Sequence, residues 1–326
     1  MHRVLAACLL VLVPGCLRSG SNRERHHFDG PFAQVVVNSR HTCLLDLAGS
    51  VRCFGGDDSR NPPMTPIPKR AYRKLASARR TVCGIRDADR QIDCFGSCIG
   101  EDVCSPPPGS FDDLALHDDG GGCAWDSTTT RCWGDERFSS FVAPPPELLL
   151  EPVRNIVFGP DWSLIHYVAG NIAIHSAGRP SDERGVWNDP LLVELAESGE
   201  LVAGIAGKGA TACVIDSAGT PRCVAYYGGH APEPASHVIA LGFSAPMGTM
   251  PACSLAAKTT GERVGSLACT PNVLGVHLSL PGHDYTQIAV GDHHVCALER
   301  GGDVECIGSD RTGAVTGRRD WPTQAD

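Results

Sequence analysis

The sequence predicts an all-β fold: a β-propeller built from repeats of about forty residues and stapled by disulfides within its blades. Three observations carry this expectation. Cysteines come in pairs, Cys43/Cys53, Cys83/Cys94, Cys123/Cys132, Cys213/Cys223, Cys253/Cys269 and Cys296/Cys306, with a closer pair, Cys98/Cys104, inside the second unit. First cysteines recur at intervals of 40 to 43 residues, and the one gap of 90, from Cys123 to Cys213, leaves room for a unit without cysteines. Composition points the same way, since 37 Gly, 24 Pro, 42% hydrophobic and 20% charged residues describe a globular, turn-rich β chain. A fixed period in the low forties, with several short strands per unit, is the mark of a propeller blade. Seven units can be counted.

The N-terminus sets the compartment. Arg3 precedes an apolar run, Val4 to Val13, of signal-peptide length and too short to span a bilayer. The following Val13-Pro14-Gly15-Cys16 resembles the lipobox of bacterial lipoproteins, in which the Cys16 thiol is diacylated and becomes the mature N-terminus. Leu17 is compatible with sorting to the outer membrane rather than the inner one. A plain secretory signal cleaved nearby is the alternative, and both readings export the chain. Setting aside Cys8 and Cys16 leaves fourteen cysteines, an even number, for which disulfides are the default in an oxidising compartment. The expected organisation is therefore a signal peptide over 1–15, a lipidated cysteine and flexible polar tether over 16–30, and a propeller over 31–326. His26-His27 in the tether is read as solvated sequence rather than as metal ligands.

Each unit has the same internal order. The last runs Gln287-Ile-Ala-Val-Gly291, then His294-Val-Cys296, a turn at Gly302, and Val304-Glu-Cys306-Ile-Gly308; the first runs Gln34-Val-Val-Val-Asn38, His41-Thr-Cys43, Gly49 and Val51-Arg-Cys53-Phe-Gly55. Gly49, Gly219 and Gly302 sit where a tight hairpin needs positive φ. A hairpin across that turn can set the two cysteines opposite each other, at Cα separations of roughly 4.5–5.5 Å that a disulfide tolerates. The unit without cysteines tests the pairing. Asn155-Ile-Val-Phe-Gly159-Pro-Asp-Trp-Ser-Leu164 aligns with the first half and Gly170-Asn-Ile-Ala-Ile174 with the second, so Leu164 and Ile174 replace both cysteines together. Two ring closures are open: a strand near Phe32–Val37 pairs in the last blade, or residues 311–326 complete that blade.

Taken together, Gly-x-x-His-x-Cys-Ala-Leu…Gly-x-Val-x-Cys-x-Gly at 291–308, and its counterparts at 38–55 and 120–134, resemble the regulator-of-chromosome-condensation repeat. The resemblance covers roughly 31–310; it is moderate at 71–110 and 203–228 and weak at 153–178 and 240–275. It implies a seven-bladed β-propeller. The Gly-Gln-Leu-Gly ending of many family repeats is missing, with Asp310-Arg-Thr-Gly313 the nearest remnant.

No catalytic residue can be assigned. Asp292-His293-His294 resembles a metal-binding motif of phosphoesterases, but His294 occupies the repeat position of His41, so the repeat explains it. Cys94, Cys98 and Cys104 can be drawn as a zinc cluster, yet export favours disulfides. Gly207-Lys208-Gly209-Ala-Thr211 lacks phosphate-loop spacing and reads as a strand and turn. The acidic doublets Asp112-Asp113 and Asp118-Asp119 read as solvated turns. No metal or cofactor is expected. The formal charge of −9 without a basic run argues against nucleic acid.

What remains is surface. Trp187 within 176–199, Phe138 and Phe141 within 136–150, and Tyr226-Tyr227 are aromatics in polar loops, which are enriched at binding hot spots. A short helix is expected over 190–198, whereas Phe54 and Trp133, each following a second cysteine, belong to the repeat. The sequence thus predicts a non-catalytic, monomeric cell-envelope lipoprotein that binds a protein or surface ligand and meets the membrane through its lipid alone. An inhibitor of a secreted hydrolase is the first alternative, since an exported bacterial protein of the same repeat family inhibits β-lactamases. A cell-wall- or carbohydrate-active enzyme is the second, and would need carboxylates converging in the central channel.

Overall fold

The computed structural model describes residues 23–38, 41–56, 65–78, 81–97, 104–118, 120–134, 143–160, 162–176, 190–208, 211–225, 238–243, 252–257, 265–269, 278–310, 312–318, 320–321 and 323–324. Its strands are β1 (Arg23–Phe28), β2 (Phe32–Val37), β3 (His41–Asp46), β4 (Val51–Gly55), β5 (Tyr72–Ser77), β6 (Thr81–Arg86), β7 (Ile92–Gly96), β8 (Asp113–Leu116), β9 (Gly122–Trp125), β10 (Thr130–Trp133), β11 (Val153–Phe158), β12 (Trp162–Tyr167) and β13 (Ile172–Ser176). After helix α1 (Pro190–Ser198) follow β14 (Val202–Lys208), β15 (Thr211–Asp216), β16 (Pro221–Ala225), β17 (Val238–Phe243), β18 (Ala252–Ala257), β19 (Gly265–Cys269), β20 (Leu278–Val290), β21 (His294–Glu299) and β22 (Val304–Ser309).

From β2 onward, consecutive triplets form seven antiparallel meanders, which are the seven blades of a propeller. The first strands of neighbouring blades touch in cyclic order, and β2 meets β20 to close the ring. Long β20 serves two blades: Leu278–Leu280 pair with β19 as a fourth strand of blade 6, and Tyr285–Val290 are the first strand of blade 7.

Hairpin chemistry explains the pairing of cysteines. In blade 1 the Asp46 amide donates to the Ser50 carbonyl at 3.0 Å, which makes 46/50 a hydrogen-bonded pair; alternation along the ladder then makes 43/53 a non-hydrogen-bonded pair, where side chains approach most closely. Asp216 to Thr220 and Glu299 to Asp303 repeat that arrangement in blades 5 and 7. The six described bridges are Cys43–Cys53, Cys83–Cys94, Cys123–Cys132, Cys213–Cys223, Cys253–Cys269 and Cys296–Cys306. All join directly opposed residues, with Cα atoms 4.0–4.1 Å apart, closer than the range expected above. Gly49, Gly219 and Gly302 have the expected positive φ, at 85°, 80° and 95°. Cys104 is disulfide-bonded, and Cys98 lies outside the described residues.

The bridges are not equally buried. First cysteines are buried in every bridged blade, but second cysteines divide into two groups. Cys53, Cys269 and Cys306 are buried, whereas Cys94, Cys132 and Cys223 are only half-buried. The reason is outer cover. Cys306 lies under β1, Cys269 pairs with Leu278 of β20, and Cys53 O is capped by the C-terminal tail. Among the described residues, β10 and β16 end their sheets with no fourth strand, and β7 is met only at Gly96, two residues beyond Cys94, where Thr65 exchanges two backbone hydrogen bonds with it; Cys94, Cys132 and Cys223 stay partly open to solvent.

Hydrophobic burial is divided into seven clusters among the described residues, one at each blade boundary. Cys43 and Cys53 share one with Tyr72 and Phe95 of blade 2, and Cys296 and Cys306 share another with Val35 and Phe54 of blade 1. Cys132 and Cys223 border theirs from the edge. The bridges therefore fill space between blades as well as linking strands within them. Phe54 and Trp133 are buried, as the repeat requires. Turn carbonyls add a polar stitch: Gly49, Gly170, Gly219 and Gly302 each accept from the first strand of the following blade, at Tyr72, Val202, Val238 and Phe32, over 2.8–2.9 Å.

Neither expected closure is the one observed. Phe32–Val37 is the first strand of blade 1, and blade 7 is completed by β1, antiparallel to β22 over the full register Arg23↔Ser309 to Phe28↔Val304. Six of the fifteen residues of the expected tether, 23–28, are thus a strand, and the propeller starts earlier than 31. The tail does not complete blade 7; it crosses to blade 1, where the Trp321 amide donates to Cys53 O at 2.8 Å and its indole to Gly55 O at 2.9 Å. Arg25 of β1 binds the buried carboxylate of Glu305, which also accepts from Tyr285 at 2.6 Å. Burial and that carboxylate push the Tyr285 phenol well above its ordinary pKa.

Candidate functional site at the mouth of the central channel

The first strands of the seven blades surround the axis, and a cavity of about 330 Å³ lies among them. Val37, Ser77, Asp118, Phe158, Lys208, Leu241 and Val290 each bring one blade to its wall. Residues five places before the first cysteine, or its counterpart Leu164, mark the ends of the first strands: Asn38, Ala78, Asp118, Gly159, Lys208 and Gly291. Glycine fits this position because the chains crowd there; a Cβ on Gly291 would stand 2.3 Å from Asn38 O.

Three blades depart from small residues at this position, and their side chains meet. Asn38 of blade 1 donates from Nδ2 to Asp118 Oδ1 of blade 3 at 3.3 Å. Lys208 Nζ of blade 5 lies 3.7 Å from the same oxygen. Side chains from first, third and fifth blades meet only near the axis, so this triad spans the channel. Its ion pair is partly buried, with Lys208 18% and Asp118 33% exposed.

Two histidines pin the blades around it. His41 Nε2 lies 2.8 Å from Ser77 Oγ of blade 2. His294 Nε2 lies 2.8 Å from Thr42 Oγ1, whose single hydroxyl proton goes to Ala314 O at 2.8 Å, so the imidazole carries the proton of that contact. Burial, then His294 and the Lys208 charge, push the His41 pKa down to about 3. Burial, with His293 next, brings His294 down to about 4. Both rings are neutral at ordinary pH and act as hydrogen-bonding spacers. His294 is thereby committed to the blade boundary rather than to the metal-motif reading.

Other flagged groups fall elsewhere. Asp113 pairs with Lys74 at 2.8 Å and Asp112 with Arg90 at 2.9 Å, so both bind blade 2, while Asp112 remains an exposed turn residue. Asp118 is a channel residue, and Lys208 ends a strand. Cys94 is bridged to Cys83, which removes it from a zinc cluster. Trp187, Phe138, Phe141, Tyr226, Tyr227 and Cys16 lie outside the described residues. The strand ends that precede the aromatic segments do share one face: Ala225 is opposite Thr211, itself opposite Lys208, while Ser176 is opposite Trp162 and Trp133 opposite Gly122. All are at the channel-mouth edge of their blades. Sequence reasoning passed over the Asn38–Asp118–Lys208 triad. Its signal is polar side chains at a repeat position that suits glycine.

No protein-family model and no curated protein matches the sequence. Among solved structures, the chain is similar to the CRINKLY WD40 ectodomain of the Arabidopsis thaliana receptor kinase ACR4, with TM-score 0.59 and 14% identity over 88% of this chain and 99% of that one. It is similar also to the entire ectodomain of the Physcomitrella patens receptor kinase CR4 (TM-score 0.56, 21% identity, 84% and 72% covered). Human WBSCR16 gives TM-score 0.54 and 10% identity over 86% and 87%. At such identities the likeness is one of fold, a β-propeller.

Proposed function

We propose that this chain is an exported, lipid-anchored propeller that binds a membrane-associated protein through its channel-mouth face, as a monomer and without catalysis. Export is supported by six bridged hairpins, because such bonds persist in oxidising compartments. Lipidation at Cys16 rests on the lipobox resemblance, an outer-membrane address on Leu17, and membership of the regulator-of-chromosome-condensation repeat family on the repeat motifs. No helix among the described residues is long and apolar enough to cross a membrane.

The observation that carries the reading is the direction of β1. It begins at Arg23, opposite Ser309, whose amide binds His293 O beside the channel mouth, and it ends at Phe28 near the hairpin-turn edge. Seven backbone steps separate Cys16 from Arg23, a reach of at most about 25 Å in any conformation. A lipid on Cys16 therefore holds the mouth toward the membrane surface, and the segments carrying Phe138, Trp187 and Tyr226 start from that same face. A partner there is itself at the membrane. The cavity has one carboxylate among the described residues, Asp118, already facing Lys208; glycoside hydrolysis ordinarily uses two.

Affinity capture from detergent-solubilised envelope tests this, with a soluble chain starting at residue 22 so that β1 is kept. Near-equimolar recovery of one membrane protein, lost with Trp187→Ala or Lys208→Ala, is expected. Recovery of no protein, or recovery unchanged by both substitutions, removes the mouth face as the working surface.

A further inference from the structure

The closing strand carries a group of side chains unrelated to the channel. Alternation along β1 turns His26 and His27 to opposite faces. His26 stacks edge-on against Phe28 with ring centroids 4.4 Å apart. His27 faces outward, where its Nε2 lies 3.4 Å from Asp29 Oδ1 and 3.7 Å from Asp303 Oδ2. The three ligand atoms lie within 4.8 Å of one another. Ligands around a tetrahedral ion with bonds of about 2.0–2.1 Å stand roughly 3.3 Å apart, so a small inward shift suffices. The other ring nitrogen, Nδ1, lies 4.0 Å from Glu299 Oε1. At that distance the Glu299 carboxylate adds negative charge beside the ring but makes no hydrogen bond to it. The far oxygen of Asp303 is held, accepting from the Gly30 amide at 3.0 Å.

We propose that His27, Asp29 and Asp303 bind a divalent transition cation of the zinc type. An imidazole nitrogen with two carboxylates suits such an ion better than magnesium or calcium, which take oxygen ligands. Three protein ligands leave a position for water. The elements joined are the end of β1 and the turn between β21 and β22, so the ion clips the closing strand to the last blade. That strand is the one on which any anchor at Cys16 pulls.

Zinc binding to the oxidised, full-length propeller, measured by isothermal titration with ZnCl₂, tests the site. One ion per chain is expected for the wild type, for His26→Ala and for Arg25→Ala, which weakens the closing strand without touching a ligand. His27→Gln and Asp303→Asn should lose at least tenfold in affinity while keeping the wild-type circular dichroism. Saturating zinc should raise the melting temperature of the wild type by about 5 °C and leave His27→Gln unmoved. No binding by the folded wild type overturns the proposal, leaving His27 a surface side chain beside Asp29 and Asp303. Equal binding by wild type and His27→Gln places any zinc elsewhere and overturns it as well.

Discussion

Blade 4 and blade 1 solve one packing problem with different chemistry. In blade 1, Cys43 and Cys53 face each other as a covalent pair; in blade 4, Leu164 and Ile174 occupy the same register without a bond. What blade 4 gains instead is apolar cover. Helix α1 packs on β13, and its Leu192 and Leu195 are buried in a cluster with Trp162, Leu164 and Ile172 that continues into blade 5. Blade 1 has no helix in its described part and is covered by the C-terminal tail through Trp321. The turn stitch is common to both, from Gly49 to Tyr72 and from Gly170 to Val202. The comparison separates what the repeat requires, hairpin geometry and turn carbonyls, from what it lets vary, the filling of one opposed pair.

The largest effect should come from Leu164→Ala. Leu164 is fully buried, and truncation of a buried leucine costs about 2–5 kcal/mol, with no bridge in blade 4 to limit the damage. Denaturant unfolding measures it, and a loss under about 1 kcal/mol would mean that α1 alone holds the blade. Replacing Cys43 and Cys53 together by alanine comes next, at roughly 2–3 kcal/mol for a short closed loop. The fold should survive, because blade 4 shows that the position does not demand sulfur. Failure of the double variant to fold would contradict that equivalence.

Acid sharpens the contrast further. His41 and His294 have folded pKa values depressed to about 3 and about 4, below the unfolded value near 6.5. Their contribution is therefore complete above the unfolded value and is lost as pH falls toward the folded ones, at roughly 1.4 kcal/mol per pH unit for each ring. His166 of blade 4 shifts in the same direction, through burial first and then Arg154, and adds to the trend. His41→Thr copies Thr81 and Thr211 at the same repeat position and should flatten the profile between pH 6.5 and 4. An unchanged slope would show that the His41–Ser77 contact is not what acid breaks. Lys208→Ala should have the smallest effect on stability, under about 1 kcal/mol, because its ion pair is partly exposed. Its consequence is expected in partner capture instead.

Much of this was legible. Glycine turns, paired cysteines and the coordinated change to Leu164 and Ile174 are local features that recur around the ring, so each unit checks the others. Helix α1 was expected over the residues it occupies. The unequal burial of the bridges was not legible, because Cys132 and Cys223 differ from Cys306 only in what lies outside their strands. The closing strand was missed as well. Arg-Glu-Arg-His-His-Phe carries no apolar alternation, because β1 lies at the blade edge and satisfies Glu305 through Arg25 rather than through an apolar face. Asn38, Asp118 and Lys208 escaped notice as a group, since residues 80 and 90 positions apart in sequence meet only once the ring has closed.

Amide hydrogen exchange over residues 23–28 tests the closed ring most directly. Antiparallel pairing along β22 predicts strong protection at alternate amides of 23–28, those that donate to β22, because β1 is the outermost strand of its sheet and its other amides point away from it. Exchange at the rate of free chain would make 23–28 the tether that the sequence suggested, reopen the last blade, and remove both the orientation of the mouth and the proposed clip at His27.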